Sequence, residues 1–136
     1  MEELLRTTRS CVNRGSWQEA EKHCEQLIKG WPLCIEAHYL LGQTHEQQEH
    51  WDDALAAYRR TVYLDRTFVM GMIGMARVWR RLSRPAEARR AYQNAATQLA
   101  KMRTDEAVLC ADGVTAGELA GLVTRQASLE ENQLIF

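Results

Sequence analysis

No run of about 18 or more apolar residues occurs in this sequence, so no membrane-spanning helix is expected. Residues 1–11 carry charges throughout, which does not fit the apolar core of a signal peptide. The four cysteines, Cys11, Cys24, Cys34 and Cys110, include no CxxC pair. Without an export signal they read as reduced thiols, and the expected location is cytoplasmic. Net charge is nearly absent at −1, which gives no general attraction to nucleic acid or to a membrane surface. No Lys-Ser/Thr follows Gly71 and Gly74, so they do not make a phosphate loop. Nothing near Cys34 or Cys110 is positioned as a base, and neither catalysis nor a cofactor is expected in this chain. His38 and His45 lie seven apart on one helical face, where a metal site is conceivable. Both occupy interior positions, however, and no acid or cysteine completes a ligand set with them, so core histidines and no metal are expected.

What is present is a repeat. Gly42 precedes Ala54 by twelve residues, Tyr58 follows four later and Asp65 seven after that. Moved forward by 34, the frame meets Ala76, Ala88 and Tyr92; moved back by 34, it meets Thr8, Ala20 and Cys24, with Pro32 closing the unit. A helix–turn–helix unit of that period is the tetratricopeptide (TPR) signature. The expected fold is all-α, a right-handed α-solenoid of three TPR repeats plus a C-terminal capping helix. By length it forms one domain, with repeats at residues 1–34, 35–68 and 69–102, a linker at 103–114, the capping helix at 115–129 and a tail at 130–136.

The local signals fit this period. Gly30-Trp31-Pro32 stops a helix, and Pro85 suits a first helical position, where its missing N–H costs nothing. Ser16-Trp17-Gln18-Glu19 and Thr115-Ala116-Gly117-Glu118 both have capping-box form, with Val114 and Leu119 as a hydrophobic staple around the second. Gly42 and Ala54 supply the small side chains where two antiparallel helices approach, and Tyr58 fills the gap beyond them. Leu119, Leu122, Val123 and Ala127 are expected on one face of the capping helix.

Successive TPR repeats line a groove with their first helices. The expected protein-binding positions are Leu5, Arg9 and Asn13, then Tyr39, Gln43, Glu46 and Gln47, then Met70, Ile73, Arg77, Arg80 and Arg81. Residues 69–100 carry six arginines against Glu87, whereas residues 35–68 and 101–136 are each at −3. Such a trough suits an acidic amphipathic helix or an extended peptide. The carboxylate-clamp subtype is disfavoured, because its positions hold Leu5, Arg9, Leu40, Met70 and Gly74. No nucleic-acid or membrane partner is expected, and uncovered repeat ends allow a homodimer.

Three stretches go further: residues 63–70 (YLDRTFVM), 84–95 (RPAEARRAYQNA) and 112–119 (DGVTAGEL). They resemble the TPR region fused to CheR-type chemoreceptor glutamate methyltransferases, over most of residues 35–123. Arg66, where that pattern prefers proline, and Cys24, where an aromatic is usual, depart from it. The resemblance implies a regulatory module that follows an S-adenosylmethionine-dependent catalytic domain, with Met1 either a cut within a longer protein or a natural domain start. Its implied partner is a chemoreceptor cytoplasmic region, a signalling protein or its own catalytic domain. The alternative is a free-standing TPR adaptor or an assembly or secretion chaperone. The tail Leu134-Ile135-Phe136 is an unusual end for such a chain.

Overall fold

The computed structural model describes the backbone of residues 1–135 and the side chains of residues 1–130. Seven α-helices and no strand occur among the described residues. They fall into two compact units, Met1–Arg66 and Thr67–Phe136.

The first unit holds α1 (Glu2–Arg14), α2 (Trp17–Gly30), α3 (Ile35–Gln47) and α4 (Trp51–Leu64), paired as two hairpins. Its core gathers Leu5, Cys24, Leu27, Ala37 and Leu40, with Leu4, Val12, Ile28 and Leu41 packed around it. The second hairpin closes on Tyr58, which is fully buried, and on Ala54. A Cβ added at Gly42 would lie 2.6 Å from two carbons of the Tyr58 ring. The small residue at 42 therefore serves the tyrosine itself. One period earlier the partners are Thr8 and Cys24, both fully buried. Threonine is larger than glycine and cysteine smaller than tyrosine, so the substitutions offset each other in volume. Thr8 has no free donor to leave unsatisfied, because its hydroxyl bonds Leu4 O at 2.7 Å.

Both hairpins turn in the same way. Gly15 and Glu49 have φ of 75° and 61°, and around each the chain makes paired bonds back into the preceding helix. Ser16 N–H reaches Cys11 O and His50 N–H reaches His45 O, both at 2.9 Å; Gly15 and Glu49 bond Val12 O and Glu46 O. This is a Schellman motif, which satisfies carbonyls that a helix end leaves open. It also corrects the expected Ser16 capping box. Ser16 has ψ of 71° and makes no side-chain cap bond. The motif feeds directly into α2, and the backbone is not in the extended conformation that brings a capping hydroxyl to the helix amides.

The second unit holds α5 (Val69–Arg81), α6 (Pro85–Leu99) and α7 (Ala116–Ile135). Ser83, at φ 58°, makes the third turn of the same kind, with Arg84 N–H on Trp79 O. Pro85 begins α6 as expected. Gly71 and Gly74 lie inside α5, and Met72, Ile73, Ala76 and Val78 face its core.

The expected linker is an ordered loop. Val108 N–H bonds Val114 O, Ala116 N–H bonds Glu106 O, and Val108 and Ala111 are buried. Gly113, at φ 85°, makes the turn, and Thr115 Oγ1 accepts the Glu118 amide at 3.3 Å as the expected cap. Gly117 follows because Thr104 O stands 3.0 Å from where its Cβ would be. Gly113, Thr115 and Gly117 of the stretch DGVTAGE thus each have a local structural reason.

α7 packs on α6 and continues to Ile135, past the expected end at residue 129. No glycine or proline follows Gly121 to stop it. Its inward stripe is Ala116, Leu119, Val123 and Glu130, whereas Leu122 is half exposed, contrary to expectation. Stepping by four, seven and eleven from Leu119 reaches Val123, Gln126 and Glu130, and Leu122 falls on the flank. The backbone of residues 131–135 is helical, and the tail residue Phe136 lies outside the described residues.

Candidate protein-binding face

In the first unit the expected positions of α1 and α3 sort into three groups. Leu5 is 3% exposed and belongs to the core, so it offers a ligand almost no surface. Arg9, Tyr39 and Glu46 are engaged internally. The Arg9 guanidinium grips Glu36 of α3 with two bonds of 2.5 Å, a bidentate clasp between the two helices. The Tyr39 ring lies 6.0 Å from Tyr58, tilted by 47°. Glu46 Oε1 accepts the Tyr58 hydroxyl at 2.6 Å, which satisfies the only polar atom of a buried ring.

Asn13, Gln43 and Gln47 form the third group. Asn13 and Gln47 are exposed, and Gln43 is half-buried and donates to the Tyr39 hydroxyl at 3.3 Å. Each amide side chain offers both a carbonyl acceptor and N–H donors. Side chains four apart on a helix share a face, so 9 and 13 on α1 and 39, 43 and 47 on α3 make two adjacent rows. The surface is polar and able to pair with both N–H and C=O groups, and the Arg9 charge is already balanced by Glu36.

In the second unit Ile73 is a core residue at 7% exposure, and Met70 and Arg77 are half-buried. Arg80 is drawn toward α7: its Nη1 donates to Gln126 Oε1 at 2.8 Å, and its Nε stands 3.9 Å from the buried Glu130. Arg81 is exposed at the end of α5. The arginine-rich repeat is therefore less available to a partner than its formal charge implies, because one of its cations is shared with the capping helix. Charge counting carries no sign of this pairing, because Gln126 lies 46 residues from Arg80.

His38 is buried as expected, with Nε2 2.9 Å from Pro32 O. His45 does not accompany it, and its ring lies 5.9 Å from that of His50. Cys11 and Cys24 are buried, and Cys34 and Cys110 are half exposed. Burial, followed by Glu21, Glu25 and Cys11, pushes the Cys24 thiol up to about 12, so it is inert near neutral pH. No helix among the described residues is long and apolar enough to cross a membrane.

Helix pairs at a 34-residue period are the arrangement of tetratricopeptide repeats, and residues 9–67 match that repeat family. The chain has the tetratricopeptide helical-solenoid fold expected from its sequence. Its fold is similar to that of PcrH, solved with the chaperone-binding region of PopD, at a TM-score of 0.85 and 15% identity over 97% of this chain and 91% of the other. The Yersinia enterocolitica type III secretion translocator chaperone SycD is similar at a TM-score of 0.85 and 16% identity, over 99% of this chain and 86% of SycD. The TPR2B domain of yeast Sti1, in a pHsp70 complex, is similar at 0.78 and 17% identity, over 95% and 96% of the two chains. No curated protein sequence matches the chain.

Proposed function

We propose that this chain is a non-catalytic adaptor of the secretion- or assembly-chaperone type that holds an extended segment of a partner protein against α1 and α3. The observation that carries the proposal is the amide-lined face of Asn13, Gln43 and Gln47, beside an Arg9–Glu36 pair whose charge is internally balanced. An extended peptide presents alternating N–H and C=O groups, and amide side chains answer both without demanding a charge on the ligand. The fold supports the same reading. Among the similar structures, PcrH is solved with a chaperone-binding region, and SycD with a peptide of the translocator YopD, at a TM-score of 0.84. Neither a cofactor nor a catalytic group enters this reading.

The methyltransferase-module reading is the second. What favours it is the resemblance over 63–70, 84–95 and 112–119. Much of the third stretch has a local cause, since Gly113 makes a turn, Thr115 caps α7 and Gly117 admits Thr104. Its weight as a marker of methyltransferases falls accordingly.

Selection from a displayed library of unstructured peptides, followed by fluorescence anisotropy, tests the first reading. The expected result is saturable binding that weakens at least tenfold in Asn13→Arg and Gln47→Arg. A chemoreceptor cytoplasmic fragment that binds through Arg77 and Arg81, with no peptide selected, transfers the assignment to the second.

A further inference from the structure

The three hairpin turns place three side chains together at fixed positions: the residue four before the left-handed one, the residue after it, and the residue three beyond that. In the first turn these are Cys11, Ser16 and Glu19, and Cys11 Sγ lies 3.7 Å from Glu19 Oε2. In the third they are Trp79, Arg84 and Glu87; the Arg84 guanidinium stacks 5.6 Å from the indole centroid and bonds Glu87 at 2.9 Å. The backbone explains the convergence, since the Schellman bonds bring the two residues flanking the turn side by side, and the next helix starts under them. Each of those turns fills the position with an interaction its own side chains complete.

The middle turn differs. Its residues are His45, His50 and Asp53, whose ligand-type atoms all lie within 4.8 Å of one another. His45 Nδ1 is shielded from solvent and finds no hydrogen-bond partner among the described residues. A buried polar atom of that kind calls for an explanation, and an ion is one. His50 and Asp53 are exposed, which leaves a way in. His50 N–H is fixed on His45 O, and Ala54 N–H on His50 O, both at 2.9 Å, so the backbone is already in place.

We propose that the α3–α4 turn binds a divalent transition-metal ion through His45, His50 and Asp53. Two imidazoles and a carboxylate suit zinc, which takes them at about 2.0–2.2 Å in a tetrahedron and leaves one position for water or a partner's donor. Ligand atoms of such a tetrahedron stand roughly 3.4 Å apart. Rotation of the exposed His50 and Asp53 side chains closes the difference from the present spacing. The second repeat is also acidic, at −3, which favours a cation over an anion there. The sequence pairs His45 with His38 by helical spacing; the turn instead gives it His50, five residues on.

The test uses the full chain in a Cys34→Ser, Cys110→Ser background, titrated calorimetrically with zinc chloride and spectroscopically with cobalt(II). One ion per chain is expected, with a cobalt spectrum that lacks thiolate charge transfer. Affinity should fall at least about tenfold in His50→Ala and in Asp53→Asn, both at exposed positions where folding is not at stake. Zinc should raise the melting temperature of the parent and not of these variants. The proposal is overturned by an absence of 1:1 binding, by unchanged affinity in both variants, or by a thiolate band.

Discussion

Replacing Gly42 with alanine adds one methyl group at the most crowded point of the second hairpin. The new Cβ would stand 2.6 Å from Cδ1 and Cε1 of Tyr58 and 3.1 Å from Cγ. Real Cβ atoms do not approach that closely, so the ring or the helix must move. The ring has nowhere to go, because Tyr58 is fully buried and its hydroxyl is held on Glu46 Oε1 at 2.6 Å. Overpacking of this kind costs about 1–3 kcal/mol. Losing a hydrogen bond to a carboxylate adds about 1.5–3 kcal/mol if the ring swings far enough to break it. Against this, alanine is the better helix former by about 1 kcal/mol. The balance is a loss of about 2 kcal/mol, or a fall in melting temperature of about 6–10 °C for a chain of this length. Urea unfolding followed by far-ultraviolet circular dichroism reads it, with Gly30→Ala as control, since nothing lies within 4 Å of a Cβ there. Pairing Gly42→Ala with Tyr58→Ala should recover part of the loss as a favourable coupling energy. A neutral or stabilising Gly42→Ala would refute the packing of this hairpin as described.

Other consequences are smaller but distinct. Arg9→Ala should cost under about 1 kcal/mol, despite the bidentate geometry, because the side chains are 42% and 24% exposed; the difference should shrink further in high salt. The Cys24 thiol should resist an aromatic disulfide reagent at pH 8 in the folded chain, while Cys34 and Cys110 react. Its folded pKa is raised, to about 12 against an ordinary 9.0, so the stability it contributes is present below pH 9 and is lost as pH rises toward 12. Cys24→Ala should flatten that alkaline decline in urea titrations. The Glu87 carboxyl is held below its ordinary 4.5, first by the Arg84 hydrogen bond. Its contribution is therefore present above pH 4.5 and disappears as pH falls through the lowered value; carbon-detected NMR should show the titration returning upward in Arg84→Ala.

Helix periodicity and the 34-residue frame were legible because burial repeats with the period, as the buried series Ala20, Ala54 and Ala88 shows. The Thr115 cap was legible for a local reason, since hydroxyl and amide are three residues apart. Ser16 has the same spacing and fails, because the turn before it fixes ψ, and that turn is set at Gly15 rather than at the serine. Glu49 and Ser83 make the same left-handed turn without glycine, which only the alignment of 15, 49 and 83 reveals. The site suffered more. Arg80 and Glu46 look like free charges on a helical wheel, but each is taken up by a residue 46 or 12 positions away. Distant pairing of polar groups leaves no trace in periodicity, so the amide face emerged only once the charged positions had found their partners.

Side-chain amide NMR reads directly which face of the chain meets the partner. A peptide selected against the full chain would be titrated into the isotope-labelled protein. The NH2 signals of Asn13, Gln43 and Gln47 should shift in proportion to occupancy. Those of Gln18 and Gln26, on α2, should stay in place. Shifts confined to α2 and α4, with the three amides unmoved, would contradict it.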